Sequence, residues 1–366
     1  MAQHDSLQAD ETGSVVGSVV GSGLGFVVDA GTDVVVGLDV GGTKTNATVL
    51  DNYGNFLVDR MVEAPSRVSE GPLAAIEAIA DALTLALTAA GITRSQVRAV
   101  GLDTPGPASA TGVISSKGST NFSEPSWWGF DIRTAVEHAL DLPVVYNNDG
   151  NAAALYAHNK HFGIHAPGRS SISAIVGTGL GGGVIESGQV VCGAAGMAGE
   201  LGHVHIPMHG LLANGQPTPR CNCGFYADLE SVASLSGIQN NLLPFWLPQF
   251  PNHPLAAMAV GDAAKAVRGF GERGDDMALK IFNQQAMAVG RMFTIASNFT
   301  DPDAYFVGGG VIEAEPHFRD WFLGLVREHT TLRAEQQLVA EFALVPDLDM
   351  AGARGSAVAA MNGLLA

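Results

Sequence analysis

The chain has 366 residues, 46% of them hydrophobic and 15% charged, and a formal net charge of -17 from 36 acidic and 19 basic side chains. That length favours two domains with a cleft between them, and the acidic balance, without any block of Lys or Arg, repels phosphate backbones and excludes DNA or RNA as a partner. Three cysteines, Cys192, Cys221 and Cys223, are too few for a disulfide framework and imply a reducing, cytoplasmic compartment.

Residues 1–33 read as an extension, flexible or forming an edge strand. Within it residues 15–28 are apolar and broken by glycine, but Asp5, Asp10 and Glu11 precede them with no Lys or Arg, so the basic start of a signal segment is missing. The run is also shorter than the ~20 residues that span a bilayer, and no membrane partner is expected. The β-branched run 33–40 predicts a first strand ending in Gly41-Gly42-Thr43. Residues 45–51 and 56–61 predict two antiparallel strands joined through Asn52-Tyr53-Gly54. Residues 72–91 have helical spacing, an alanine-rich apolar face and a closing glycine. A strand over 97–102 runs into the sharp loop Pro105-Gly106-Pro107. A helix over 132–140 and a strand over 143–146 lead to Asn147-Asn148-Asp149.

A second half starts there, with a helix over 151–158 and a strand over 171–176 entering Gly177-Thr178-Gly179. A hairpin over 184–191 turns at Ser187-Gly188, and 255–300 is mainly helical. A buried strand over 304–307 ends in Gly308-Gly309-Gly310, and helices over 316–329 and 352–365 close the chain. The same strand, glycine turn, strand, helix order thus occurs twice, without visible identity between the copies. It predicts an α/β protein of two similar halves with a ligand at the strand ends between them.

Glycine turns after strands let backbone amides approach an anion closely, and three of them suit phosphate. Gly177-x-Gly179-x-x-Gly182 also matches a dinucleotide fingerprint, but that motif must open a helix, and here a hairpin pattern follows. A Walker A pattern is absent, since the glycine spacing before Lys44 is wrong. Asp149 stands where a strand ends and a helix begins. There it can be a base kept ionised by the helix N-terminus, or simply the helix cap. Glu200, His203 and Glu230 are groups that suit a polyhydroxylated ligand, or ordinary surface charge. His203, Cys221, Cys223 and Asp228 form a candidate zinc set, with His205 and His209 as competing ligands and a reduced, buried cysteine pair as the alternative. Cys192 reads as core.

Taken together, Leu38-Asp39-Val40-Gly41-Gly42-Thr43-Lys44, Asn148-Asp149-Gly150-Asn151-Ala152-Ala153, the block from Gly177 through Gly199-Glu200-Leu201-Gly202-His203, and Val307-Gly308-Gly309-Gly310-Val311 resemble, in order, the ROK family. These are bacterial sugar kinases and sugar-responsive repressors of the actin-like ATPase superfamily. The resemblance runs from about Val34 to the C-terminus. It implies a two-domain actin-like ATPase (ribonuclease H-like) fold: a small α/β domain over 34–148, completed by a C-terminal helix over 349–366, and a large α/β domain over 149–348. It implies an ATP-dependent hexose kinase, glucokinase-like and acting on the 6-hydroxyl, with N-acetylmannosamine or N-acetylglucosamine as alternative substrates and polyphosphate as an alternative donor.

By the same resemblance Asp149 is the general base. Asn148, Glu200, His203 and Glu230 bind sugar, with Gly106 and Asn121 as further candidates. Gly41, Gly42, Thr43, Lys44, Thr178, Gly179 and Gly309 line the nucleotide, and Asp39 helps to hold Mg²⁺ through water. The family's zinc block has three cysteines after the histidine. Here Ala227 replaces its glycine and Asp228 its third cysteine, which leaves zinc open. A homodimer is implied as well. The repressor branch needs a helix-turn-helix module ahead of the body, and the acidic, Gly/Val-rich residues before Val34 do not read as one.

Overall fold

The computed structural model describes residues 32–106, 108–115 and 121–365; residues 1–31, which hold nearly all of the expected extension, lie outside the described residues. Strand β1 (Val34–Val40) is buried along almost its whole length because both of its faces are covered. Val34, Val36, Leu38 and Val40 face a core that also holds Ile79, Leu83 and Val136. Val35, on the other face, packs with Ala357 and Ala360. Around β1 the first sheet has the order β3-β2-β1-β4-β5. It consists of β2 (Lys44–Asp51), antiparallel to β1, β3 (Val62–Pro65), antiparallel to β2, and β4 (Val97–Thr104) and β5 (Val144–Asn148), both parallel. Helices α1 (Pro72–Ala90) and α2 (Ile132–Leu140) cover one face. By length and apolar composition α1 could cross a membrane, but Ile79, Leu83 and Leu87 are buried in the core of this sheet.

Helix α3 (Asp149–Phe162) follows β5 and leads to the second sheet, ordered β10-β9-β6-β7-β8. Its strands are β6 (Ser171–Val176), β7 (Leu180–Glu186), β8 (Gln189–Val190), β9 (Ala304–Gly309) and β10 (Glu341–Leu344). Between β8 and β9 lie two short turns of helix, α4 (Leu235–Gly237) and α5 (Leu243–Trp246), then α6 (Val260–Gly271) and α7 (Asp276–Thr300). The expected helical stretch 255–300 therefore divides, with Gly274 at φ 80° before the cap Asp275. Helices α8 (Pro316–Glu328) and α9 (Ala334–Gln337) join β9 to β10, and α10 (Leu348–Leu365) ends the chain.

Helix α10 lies against the first sheet at a distance that only glycine permits. A β-carbon on Gly37 would sit 1.9 Å from the Ala353 carbonyl oxygen, and one on Gly101 1.8 Å from that of Ser356. Helix α10 also packs on α3, where a β-carbon on Gly355 would meet the Ala152 carbonyl oxygen at 1.7 Å.

Two expectations are corrected. The third strand is not 56–61 but Val62–Pro65. The Asp51 carboxylate accepts the amides of Tyr53 and Asn55, Phe56 makes a single bridge to Leu50, and the chain turns before pairing again. The glycines after Gly179 belong to β7 rather than to a turn, because α3 packs directly on that strand: a β-carbon on Gly150 would lie 2.6 Å from the Gly182 carbonyl oxygen.

Candidate active site

The parallel strands of both sheets run into one region. At the end of β1 the Gly41 amide donates to the Lys44 carbonyl at 2.9 Å, closing the turn that presents Gly42 and Thr43. Asn121 stands against this turn, 2.7 Å from where a Gly42 β-carbon would be, and so lies on the expected phosphate side. Lys44 is ion-paired with Glu63 on β3, both side chains half exposed, so its ammonium is engaged along the sheet. Asp39 accepts from the Asn46 side chain at 3.1 Å.

Beside it lies a residue that sequence reasoning missed. Asp103, at the end of β4, is the register partner of Asp39 and is 0% exposed. Its Oδ2 accepts from the Ser356 hydroxyl at 2.7 Å. Desolvation pushes both carboxyls upward, Asp103 well above the ordinary range, where the Asp39 charge adds to the effect. The available signal was an acid after the apolar run 99–102, two residues before Pro105-Gly106.

Of the two roles that the sequence left open for Asp149, the cap falls to its neighbour. Asn148 is the N-cap of α3: its side-chain oxygen accepts the Asn151 amide at 2.7 Å. Asp149 is the first helical residue and accepts only the neighbouring Gly150 amide, at 2.7 Å. Asp149 is an exposed residue, yet desolvation of its carboxyl by the surrounding protein pushes its pKa up to about 6, with Asp39 and Glu200 adding to the rise. The Asn148 side chain also donates to Glu200 at 3.3 Å, and Gly106 lies alongside Glu200, its would-be β-carbon 4.0 Å from the carboxylate. Burial raises the Glu200 pKa as well.

On the second sheet the Gly177 amide donates to the Gly179 carbonyl at 2.9 Å, and the Thr178 carbonyl is held by the amide (3.1 Å) and hydroxyl (2.8 Å) of Ser236. Glu230 braces this turn by accepting the Leu180 amide at 2.9 Å. Gly179 leaves room for it, since a β-carbon there would be 2.6 Å from the Glu230 carboxylate. Gly309, at φ 97°, passes Val176 so closely that a β-carbon would lie 1.9 Å from the Val176 carbonyl oxygen.

His203, Cys221, Cys223 and Asp228 come together, with one donor atom of each within 4.8 Å of the others. His203 Nδ1 lies 3.3 Å, and Cys223 Sγ 3.5 Å, from the same Asp228 oxygen, while Cys221 Sγ lies 3.3 Å from Glu230. The bond to Asp228 pushes the His203 pKa up to about 9. Burial would raise Asp228, but the bonds from His203, Cys221 and Ser231 hold it below the ordinary value. Tetrahedral zinc sets sulfur, nitrogen and oxygen donors about 3.5 Å apart, so this set fits the ion. His205 turns its ring toward Phe225, at 6.3 Å between centroids, and His209 is not part of the group. Cys192 is not core: it is half-buried in the wall of a small pocket that also includes Ala108, Tyr146, Asn148 and Asn151.

A family model described as "ROK family" matches residues 35–362. A glucokinase of Halalkalibacterium halodurans is 31% identical over 301 residues, which cover 80% of this chain and 84% of that protein. The ROK hexokinase of Thermus thermophilus superposes with a TM-score of 0.69 at 30% identity, covering 91% of this chain and 99% of that one. A ROK family glucokinase of Streptomyces griseus, in complex with glucose and AMPPNP, superposes with a TM-score of 0.65 at 27% identity, covering 90% and 100%.

Proposed function

The chain belongs to the ROK family, and on that premise we propose that it is an ATP-dependent, glucokinase-like hexose kinase that phosphorylates the sugar 6-hydroxyl, with Asp149 as general base. Its fold is that of the actin-like ATPases. The observation that carries the reading is the freedom of Asp149. Its neighbour Asn148 supplies the helix cap, which leaves a carboxylate open to the cleft with a pKa of about 6. Such a group is ionised at neutral pH and is a stronger base than an ordinary aspartate.

Asn148 and Glu200, joined by their hydrogen bond, would take paired sugar hydroxyls, with His203, Glu230 and Gly106 completing that side. Gly41, Gly42, Thr43, Thr178, Gly179 and Gly309 would line the nucleotide, with Lys44 and Asn121 at its edge. Mg²⁺ bound with the nucleotide supplies neutralisation of phosphate charge, and Asp39 would meet it through water. In the reaction Asp149 takes the proton as the sugar oxygen attacks the terminal phosphorus, and the bond to the leaving diphosphate breaks. Closure over the cleft would exclude water as a competing acceptor. His203, Cys221, Cys223 and Asp228 would hold a structural zinc ion that ties His203 to the loop carrying Glu230. The enzyme would work in the cytoplasm as a homodimer.

The test is a panel of glucose, mannose, fructose, N-acetylmannosamine and N-acetylglucosamine, each with ATP and with polyphosphate. Sugar-dependent ADP formation and a 6-phosphate product by NMR are expected with glucose and ATP. If no sugar on the panel raises donor consumption above background, the kinase reading is wrong.

A further inference from the structure

Glu230 is assigned to the sugar by resemblance, yet half of its carboxylate is already in use elsewhere. Its Oε2 accepts the Leu180 amide at 2.9 Å, where the turn 177–179 enters β7. Its Oε1, 3.3 Å from Cys221 Sγ, is the oxygen that remains for a hydroxyl. Two neighbours of Glu230 hold the same turn. The Leu235 amide donates to the Gly177 carbonyl at 2.9 Å, and Ser236 donates to the Thr178 carbonyl through its amide and its hydroxyl.

At its other end this segment is tied to the loop that carries His203. The Glu230 amide donates to the Gly202 carbonyl at 2.8 Å, and the Leu229 amide to the Val204 carbonyl at 3.0 Å. Between the two ends there is little slack. Leu229, Val232 and Ala233 are fully buried, and the Gln285 side chain of α7 donates to the carbonyls of Val232 and Ser234. Residues 229–236 thus form a stiff strut from the sugar side of the site to the glycine turn. Such a turn binds an anion only when its amides are held in one orientation, and glycine, the most permissive residue, does not hold them by itself. The restraint comes from the strut, and its one charge-assisted bond is that of Glu230.

We propose that Glu230 is a positioning residue for the nucleotide as well as a sugar ligand: one carboxylate oxygen is left for the sugar, and the other fixes the Leu180 amide and with it the phosphate turn. The proposal rests on the reading of the turn and of the sugar side given above. What it adds is that nucleotide affinity depends on Glu230 even when no sugar is present.

Two replacements separate the roles. In Glu230→Gln the single amide oxygen can still accept from Leu180, which leaves an NH₂ group that cannot accept from a sugar hydroxyl. In Glu230→Ala both bonds are lost. By calorimetry without sugar, Glu230→Gln is expected to bind Mg·AMPPNP within about threefold of wild type, and Glu230→Ala about tenfold or more weakly. Both should bind glucose about tenfold or more weakly. Ser236→Ala, which removes one donor from the turn on the side away from the sugar, should weaken Mg·AMPPNP about threefold and leave glucose within about twofold.

The proposal is overturned if Glu230→Ala binds Mg·AMPPNP as wild type does, or if Glu230→Gln loses as much nucleotide affinity as Glu230→Ala. Should Glu230→Ala fail to fold, the other two variants decide: Glu230→Gln must lose glucose alone, and Ser236→Ala nucleotide alone. Wild-type protein that binds no Mg·AMPPNP would overturn the nucleotide reading of the turn and this proposal with it. Nucleotide binding without sugar-dependent turnover would overturn only the kinase reading, and the titrations would still report on Glu230.

Discussion

The two sheets are built to one plan and carry different chemistry. Counted from the first strand of each half, the neighbours run β3-β2-β1-β4-β5 and β8-β7-β6-β9-β10, the same order in both. The last paired residues of the two central parallel strands also correspond. In the first half they are Asp39 and Asp103, and in the second Val176 and Gly309. After the fifth strand each half sends a helix to the junction, α3 beginning at Asp149 and α10 at Leu348. At these two positions one half thus carries carboxyls and the other a valine and a glycine. A carboxyl can move a proton or meet a cation, whereas glycine amides can wrap an anion. The duplicated frame puts the two sets at corresponding strand ends, and the contrast follows from which side chains the strand tips retain.

The largest effect expected from breaking this division is at Asp149. Asp149→Asn should lower kcat by about 100-fold or more while glucose affinity is kept. The pH profile gives a second reading of the same group. With a folded-state pKa of about 6 against an ordinary 3.8, the base is lost by protonation as pH falls through about 6. The wild-type kcat/KM should therefore fall about tenfold per pH unit below that point, and this limb should be missing from the residual activity of Asp149→Asn. The linkage sign is opposite to that of a salt-bridged aspartate. A raised pKa means that the folded protein holds the proton more tightly, so the group contributes stability at low pH that is lost as pH rises from 3.8 through about 6. The Asn variant should accordingly unfold no earlier than wild type at pH 7. A limb near 4, or an unchanged rate in the variant, would move the chemistry away from this half.

Most of this plan was legible in the chain, because a β-branched run ending in glycine marks both a buried strand and the turn that closes it. What was not legible depended on neighbours distant in sequence. Nothing local decides which of Asn148 and Asp149 caps α3, since both residue types cap well. The decision lies in which side chain reaches the Asn151 amide. Asp103 gave a weak signal because its significance is its register with Asp39 and its bond to Ser356, 253 positions along the chain. Cys192 passed for core because its neighbours are small and apolar, whereas the fold leaves it on a pocket wall. The third strand was misplaced by the Asp51 carboxylate, which holds the chain in a wide loop before it can pair. The grouping of His203, Cys221, Cys223 and Asp228 was foreseen by residue type, and the fold brings the four donor atoms together.

That cluster belongs to the second half alone and supplies a smaller way to sharpen the contrast. Zinc at hundredfold its Kd should stabilise the protein by about 2.7 kcal/mol, read as a rise in Tm that a chelator reverses. Asp228→Asn should remove most of this shift, because the carboxylate oxygen near both His203 and Cys223 is replaced by a neutral amide. Removing zinc should weaken glucose binding, through His203 and Glu230, more than binding of Mg·AMPPNP. Equal losses would mean that the ion supports the whole fold rather than one side of the cleft.

The smallest effect is expected where the halves meet. Arg354 of α10 lies over Phe56 of the first half, at 4.8 Å from the ring, and over Tyr156 of α3, at 5.6 Å. Its guanidinium also donates to the Tyr156 hydroxyl at 2.8 Å and to Asp347 at 3.1 Å. The Tyr156 hydroxyl donates in turn to Asp347 at 2.9 Å, and that bond survives loss of the arginine. Arg354→Ala should therefore cost only about 1.5 kcal/mol in denaturant unfolding. Most of the junction rests on the close glycine approach of Gly355 to Ala152, which the substitution does not touch. A loss several times larger would show that the two halves are held by this single cation between rings, and that α3 and α10 are not otherwise fixed to each other. No loss at all would make the backbone contact sufficient by itself. The network around Arg354 would then be free to break and re-form as the cleft opens and closes.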